Sequence, residues 1–213
     1  KNKNIKLKYI LNTHHHYDHI GGNQELKKKY GSVVVGFKGD SKRIPGIDIL
    51  LEDNQIWKAE NFEAKIMHIP GHTSGHICFN FFKEKLVFVG DTLFSLGCGR
   101  IFEGSYEEMF ESLNKIKLLP EDTKIYCGHE YTKNNYNFCV KFDPNNNYLK
   151  DKEKEIDERM KDGKPTIPST IKEEIQTNIF LRYDDPDVKE ALKLKNASDL
   201  EIFTKLRDLK DNF

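Results

Sequence analysis

One run of seven residues constrains this chain more than anything else in it: Thr13-His14-His15-His16-Tyr17-Asp18-His19. His14 and His16 are two apart, so in extended backbone both side chains leave on the same side and can share one ion, while His15 points away. Asp18 and His19 come where the chain must turn, just ahead of Gly21-Gly22, and can hold a second ion beside the first. Imidazole nitrogens and carboxylate oxygens without a thiolate suit zinc, iron or manganese.

Two ions need more than these four ligands, and the sequence offers three further candidates. His72 follows Ile69-Pro70-Gly71, Asp91 follows Val89-Gly90, and His129 follows Cys127-Gly128. Each stands where a strand ends, behind a glycine that lets backbone crowd close to a site. A single histidine after a glycine is usually an ordinary surface or core residue. The same arrangement three times over, beside the histidine run, is not what packing alone produces. His68 and His76 read as ordinary strand residues.

The surrounding pattern sets the architecture. Lys8-Tyr9-Ile10-Leu11-Asn12 runs straight into the histidines, and a short polar helix follows over Gln24–Tyr30. Val33-Val34-Val35, Ala64–Ile69, His76–Phe82, Leu86–Val89 and Lys124–Cys127 read as strands. Ser105-x-x-Glu108 is a capping box opening a helix to about Leu119. Beyond Thr132 the pattern is helical throughout: Asn134–Phe142, Tyr148–Lys161, Thr170–Thr177, Pro186–Leu194 and Asp199–Leu209, with further capping boxes at Thr170 and Ser198. This predicts a mixed α/β domain over 1–132 and a helical domain over 133–213.

Composition narrows the partners. The chain has 213 residues, with 34 basic and 34 acidic side chains. That balance is not the basic body that neutralising nucleic-acid phosphates requires. No run of about eighteen apolar residues exists, so no membrane span is expected. Lys1-Asn2-Lys3-Asn4 has no apolar segment of signal-peptide type. Cys78, Cys98, Cys127 and Cys139 form no CxxC pair and read as reduced thiols of a cytoplasmic protein. We expect a monomer.

Taken together, these residues resemble a known family. Thr13–His19 fits the T-H-x-H-x-D-H signature of the metallo-β-lactamase superfamily, with His72, Asp91 and His129 at its remaining ligand positions. Within it the chain resembles glyoxalase II, the hydroxyacylglutathione hydrolases. Pro70–His76, Gly90–Phe94, Gly97–Arg100, Tyr126–Thr132 and the ending Arg207–Phe213 look like that family's blocks. The resemblance implies an αβ/βα sandwich followed by a helical domain that covers the substrate cleft. It implies that His14, His16 and His72 hold one divalent ion, that Asp18, His19 and His129 hold another, and that Asp91 bridges them.

The activity implied is hydrolysis of S-D-lactoylglutathione and related 2-hydroxyacyl-glutathione thioesters to glutathione and a 2-hydroxy acid, the second step of methylglyoxal detoxification. The nucleophile implied is a hydroxide shared by the two ions, with Asp18 and Asp91 beside it. For glutathione the resemblance implicates Arg100, Ile101, Phe102, His129, Glu130, Tyr131, Arg207 and Lys210. Arg207 and Lys210 are three apart and share a helix face, where they match the carboxylates of glutathione.

The resemblance has departures. The family carries tyrosine at the position of Phe102, which keeps the aromatic face without the hydroxyl, and it often has a basic residue at that of Asp208. It also carries strands before the histidine motif, roughly a quarter of its length, whereas the motif here begins at residue 13. We therefore expect a first sheet without those strands and with an uncovered edge. The alternatives are a mononuclear iron persulfide dioxygenase, disfavoured by the helical ending, a nuclease, disfavoured by the neutral charge, and a truncated, inactive metal-binding protein.

Overall fold

The computed structural model describes residues 6–213, so the Lys1–Asn4 opening lies outside the described residues. The elements run β1 (Tyr9–Leu11), α1 (Tyr17–Ile20), α2 (Asn23–Tyr30), β2 (Val33–Phe37), β3 (Ile47–Leu51), β4 (Ile56–Ala59), β5 (Phe62–His68), β6 (Ile77–Phe81) and β7 (Leu86–Gly90). There follow β8 (Leu93–Phe94), β9 (Gly97–Cys98), α3 (Tyr106–Lys117), β10 (Lys124–Cys127), α4 (Thr132–Phe142) and α5 (Asn147–Lys161). The chain closes with β11 (Ser169–Thr170), α6 (Ile171–Thr177), α7 (Pro186–Ala191) and α8 (Asp199–Asp211).

Two sheets face each other. β1-β2-β3 are parallel, and the larger sheet has the order β11-β10-β7-β6-β5-β4. Side-chain alternation along each strand divides the apolar residues between layers. Val35 of β2 joins Ile77, Phe79 and Phe81 of β6 between the sheets, together with Trp57, Ala64 and Ile66. Val34 points the other way, onto Ile20 and Ile44. Cys78, Val87, Val89 and Ile125 leave the far face of the larger sheet and enter a second core with Met109, Leu113, Phe138, Phe180 and Phe203. The result is an αβ/βα sandwich whose second core continues into the helices beyond residue 132. Each fully buried side chain of the Phe79 or Ile66 kind contributes about 2 kcal/mol of transfer free energy.

Most elements expected from the sequence are present, alongside several short ones that were not, α1, β8 and β9 among them. β3 and β4 were not expected. β3 buries one residue fully, Leu51, and β4 is a four-residue edge strand with Trp57 and Ala59 inward. Such short half-buried runs carry little periodicity. The region beyond Thr132 is not wholly helical either, because Ser169 and Thr170 pair antiparallel with Ile125 and Lys124. All three anticipated capping boxes form, at Ser105, Thr170 and Ser198.

One buried carboxylate ties the helices to the site-bearing hairpin. Glu174 of α6 is fully buried and accepts hydrogen bonds from Leu96 N and Asn178 Nδ2, each at 2.9 Å. Asn178 in turn donates to Gly97 O at 3.0 Å and to Phe94 O at 3.3 Å. Burial raises the Glu174 pKa above its ordinary 4.5, so the folded state holds this proton more tightly than the unfolded chain. The group's contribution is therefore most favourable below about pH 4.5 and declines as pH rises through the raised folded value. Glu174→Gln should gain in thermal midpoint relative to the wild type as pH is raised from 4 to 8. Glu174→Ala, which strands two buried donors, should lose about 2–4 kcal/mol. A Gln variant tracking the wild type in parallel across that range would refute the assignment.

Candidate metal centre

Every ligand candidate leaves a strand end or the turn behind it. β1 delivers the histidine run, and Asn12 holds its turn by donating to His19 O at 3.1 Å and exchanging amide bonds with the buried Asn23. Asp91 follows β7, His129 follows β10, and His72 sits in the loop between β5 and β6. Gly128 is required where it stands, since a Cβ there would lie 2.3 Å from Asp91 Oδ1 and 2.8 Å from His19 Cε1.

The seven side chains converge. His72 Nε2 lies 3.0 Å from His16 Nδ1 and 3.7 Å from Asp91 Oδ2. His129 Nε2 lies 3.3 Å from Asp18 Oδ2 and 3.2 Å from Asp91 Oδ2. His19 Nε2 lies 3.5 Å from Asp18 Oδ2 and 3.3 Å from Asp91 Oδ1. The donor atoms of His14, His16 and His72 all lie within 4.8 Å of one another, as do those of Asp18, His19 and His129. Asp91 stands against both groups. Ligands held tetrahedrally at about 2.1 Å from an ion lie roughly 3.4 Å from each other, which is the spacing found.

Hydrogen bonding of these rings fits the same use. His14 Nδ1 is taken by Thr13 Oγ1 at 3.1 Å and His72 Nδ1 donates to Arg100 O at 2.8 Å, so both turn Nε2 inward. His14 Nε2, His19 Nε2 and Asp91 Oδ1 are buried with no hydrogen-bond partner among the described residues. Burial depresses the pKa values of His14, His16 and His72, keeping them neutral and able to ligate. The Asp91 carboxylate, 3.3 Å away, raises that of His19. Burial works against the Asp91 carboxylate, yet the surrounding histidines, His19 foremost, hold its pKa below the ordinary value. The donor set and its unpaired atoms therefore fit divalent cations.

The centre opens into a cleft of about 710 Å³. His16, Asp18, His72, Asp91 and His129 face it, while His14 is wholly buried beneath. Among the residues expected to meet glutathione, Arg100, Phe102, Tyr131, Arg207 and Lys210 line the same cleft. Phe102 stands edge-on to His16 and His72, and Tyr131 stacks on His129 at 5.0 Å between centroids. Lys210 donates to Asn134 Oδ1, and burial lowers its pKa to about 8.

Three expectations need correction. Ile101 packs its side chain against the second core, and the Glu130 carboxylate is taken by Thr166 N and Oγ1, so neither side chain lines the cleft. Arg207 and Lys210 both line the cleft from α8. Arg207 is 2% exposed and donates to Cys98 O at 2.8 Å. His76 is no ordinary strand residue. It is buried, stacks on His14 at 4.6 Å, and its Nε2 accepts the Asp91 backbone N–H at 3.1 Å. Only its closeness to His72 in the sequence hinted at this. His15 and His68 behave as expected, His15 turning to Asp40 and His68 to Ser74 O.

Comparison with known proteins agrees with this geometry. Residues 1–129 match the model of the metallo-beta-lactamase superfamily, and residues 130–213 that of the hydroxyacylglutathione hydrolase C-terminus. The hydroxyacylglutathione hydrolase of Pelagibacter ubique is 63% identical over 213 residues, 100% of this chain and 83% of that protein. The hydroxyacylglutathione hydrolase of Methylococcus capsulatus is 45% identical over 208 residues, 98% of this chain and 81% of that protein. Among solved structures, BLEG-1 B3 metallo-beta-lactamase has a TM-score of 0.61 at 24% identity, covering 84% of this chain and 78% of its own. ETHE1 from Myxococcus xanthus has a TM-score of 0.63 at 20% identity, covering 94% and 68%. At those identities the two structures speak for the fold alone.

Proposed function

The chain belongs to the hydroxyacylglutathione hydrolase family of the metallo-β-lactamase superfamily, and on that premise we propose that it hydrolyses 2-hydroxyacyl thioesters of glutathione, S-D-lactoylglutathione among them. One observation carries the reading. The seven-ligand cluster and three basic side chains, Arg100, Arg207 and Lys210, open on a single cleft. Hydrolytic chemistry and carboxylate recognition are thus placed side by side.

His14, His16 and His72 would hold one ion and Asp18, His19 and His129 the other, with the Asp91 carboxylate within reach of both groups. Two such ions, zinc, iron or manganese, supply hydroxide at neutral pH and stabilise negative charge developing on the carbonyl oxygen. The neutral Nε2 and Nδ1 atoms of the depressed histidines are held in place by Thr13 and by the Arg100 carbonyl, so little reorganisation is needed. Phe102 and Tyr131 wall the reacting end of the cleft. Glutathione departs as a thiolate, whose conjugate acid has a pKa of about 8.5. No general acid is required of the chain. Cationic side chains on the cleft wall meet the glutathione carboxylates.

The test is hydrolysis of S-D-lactoylglutathione followed by thiol release, alongside elemental analysis and oxygen uptake with glutathione persulfide. Free thiol and two equivalents of metal support the reading. Oxygen consumption without thiol release would instead indicate a dioxygenase.

A further inference from the structure

Outside the ligand set, a cluster of charged side chains lies just behind its first half. Asp40 ends a short 3-10 turn, Lys38–Asp40, that follows β2. Its side chain is completely buried, and its Oδ2 lies 3.1 Å from His15 Nδ1. Arg43 Nε donates to Asp40 Oδ1 at 3.0 Å, Arg43 Nη1 to Glu103 Oε1 at 2.7 Å, and Arg43 Nη2 to Ser74 Oγ at 2.9 Å. Glu103 completes the ring: Oε1 lies 3.4 Å from His15 Nε2, and Oε2 accepts from both Ser74 N and Ser74 Oγ at 2.9 Å. The fit is close, for a Cβ on Gly75 would come within 2.2 Å of the Asp40 carboxylate.

The three segments joined in this way are those that carry one half of the centre. His15 lies between His14 and His16, Ser74 and Gly75 lie in the loop of His72, and Glu103 lies beside Arg100, whose carbonyl fixes His72 Nδ1. None of these contacts reaches Asp18 or His129. We infer that Asp40, Arg43 and Glu103 are positioning residues for the His14–His16–His72 half of the centre alone. A buried carboxylate held by a guanidinium sets the His15 ring, which fixes the backbone rotation of the ligands on either side. Partners that orient ligands in this way typically govern metal affinity by ten- to a hundredfold.

The inference rests on the proposed two-ion centre, and the experiment separates the two. Zinc is titrated into metal-stripped protein against a chromogenic chelator, for the wild type, Asp40→Asn, the more exposed Glu103→Gln, and Ile66→Val as a core substitution remote from the network. The wild type and Ile66→Val take up two equivalents. Asp40→Asn and Glu103→Gln weaken one equivalent about ten- to a hundredfold and leave the other unchanged. In a His129→Ala background, which disables the opposite half, Asp40→Asn removes the remaining tight equivalent. Wild-type affinity for both equivalents in the two network variants overturns the inference, as does a loss shared equally by both equivalents. A wild type that binds fewer than two equivalents overturns the centre itself, and the inference with it.

Discussion

Asp91→Asn should reduce kcat/KM for a glutathione thioester by about a thousandfold or more, an effect of about 4 kcal/mol on the transition state, and leave the purified protein short of two equivalents of metal. The size follows from position. Asp91 is within reach of both ligand groups, with His19, His72 and His129 Nε2 at 3.3, 3.7 and 3.2 Å from its carboxylate. Asparagine has nearly the same shape, so the backbone bond from Asp91 N to His76 survives and the fold should persist. What disappears is a full negative charge buried among groups that gather two dications. Asparagine does not ionise, so the loss is not recovered by raising pH. Steady-state kinetics with elemental analysis decide the matter. A variant within tenfold of the wild type and fully loaded would remove Asp91 from between the ions.

The centre was legible in the sequence because its ligands obey local rules. Period-2 alternation places His14 beside His16, and a strand followed by glycine places His72, Asp91 and His129 at a common sheet edge. Helix starts were legible for the same reason, since a capping box is complete within four residues, as at Ser105. What was missed depends on contacts far apart in the chain. Asp40 meets Ser74 and Glu103 through Arg43, and Glu174 meets Leu96 across 78 positions, with no periodicity to announce either. The anchoring of Arg207 belongs with these, because it spans 109 positions to Cys98. A helical wheel shows which face Arg207 shares but not what covers that face. Ile101 and Glu130 were assigned to the cleft by resemblance, as neighbours in sequence of residues that do line it. Their side chains leave on the opposite side, toward the second core and Thr166.

Arg207→Met should raise KM for S-D-lactoylglutathione about ten- to a hundredfold while leaving kcat within a few-fold, and should lower the thermal midpoint by several degrees. Two roles meet in this side chain. Its Nη1 donates to Cys98 O at 2.8 Å and its Nη2 to Asp211 Oδ1 at 2.9 Å, so it fastens α8 to the loop that leads from β9 to Arg100. Its Nε is buried without a hydrogen-bond partner among the described residues, in a side chain that lines the cleft. Methionine keeps the length and the packing against Phe180, whose ring centroid lies 5.2 Å from the guanidinium carbon. The change therefore removes charge and donors more than volume. Leaving the buried Cys98 carbonyl unpaired costs about 1–3 kcal/mol. The Asp211 pairing adds less, because that carboxylate is partly exposed. Loss of one charge-assisted contact to a glutathione carboxylate, worth about 1.5–3 kcal/mol, is the source of the KM change. A thioester of a neutral thiol lacking those carboxylates separates the two roles. With it, Arg207→Met and wild type should have equal KM. An equal KM rise on both substrates would make Arg207 a structural anchor only, and would leave Arg100 and Lys210 to recognise glutathione.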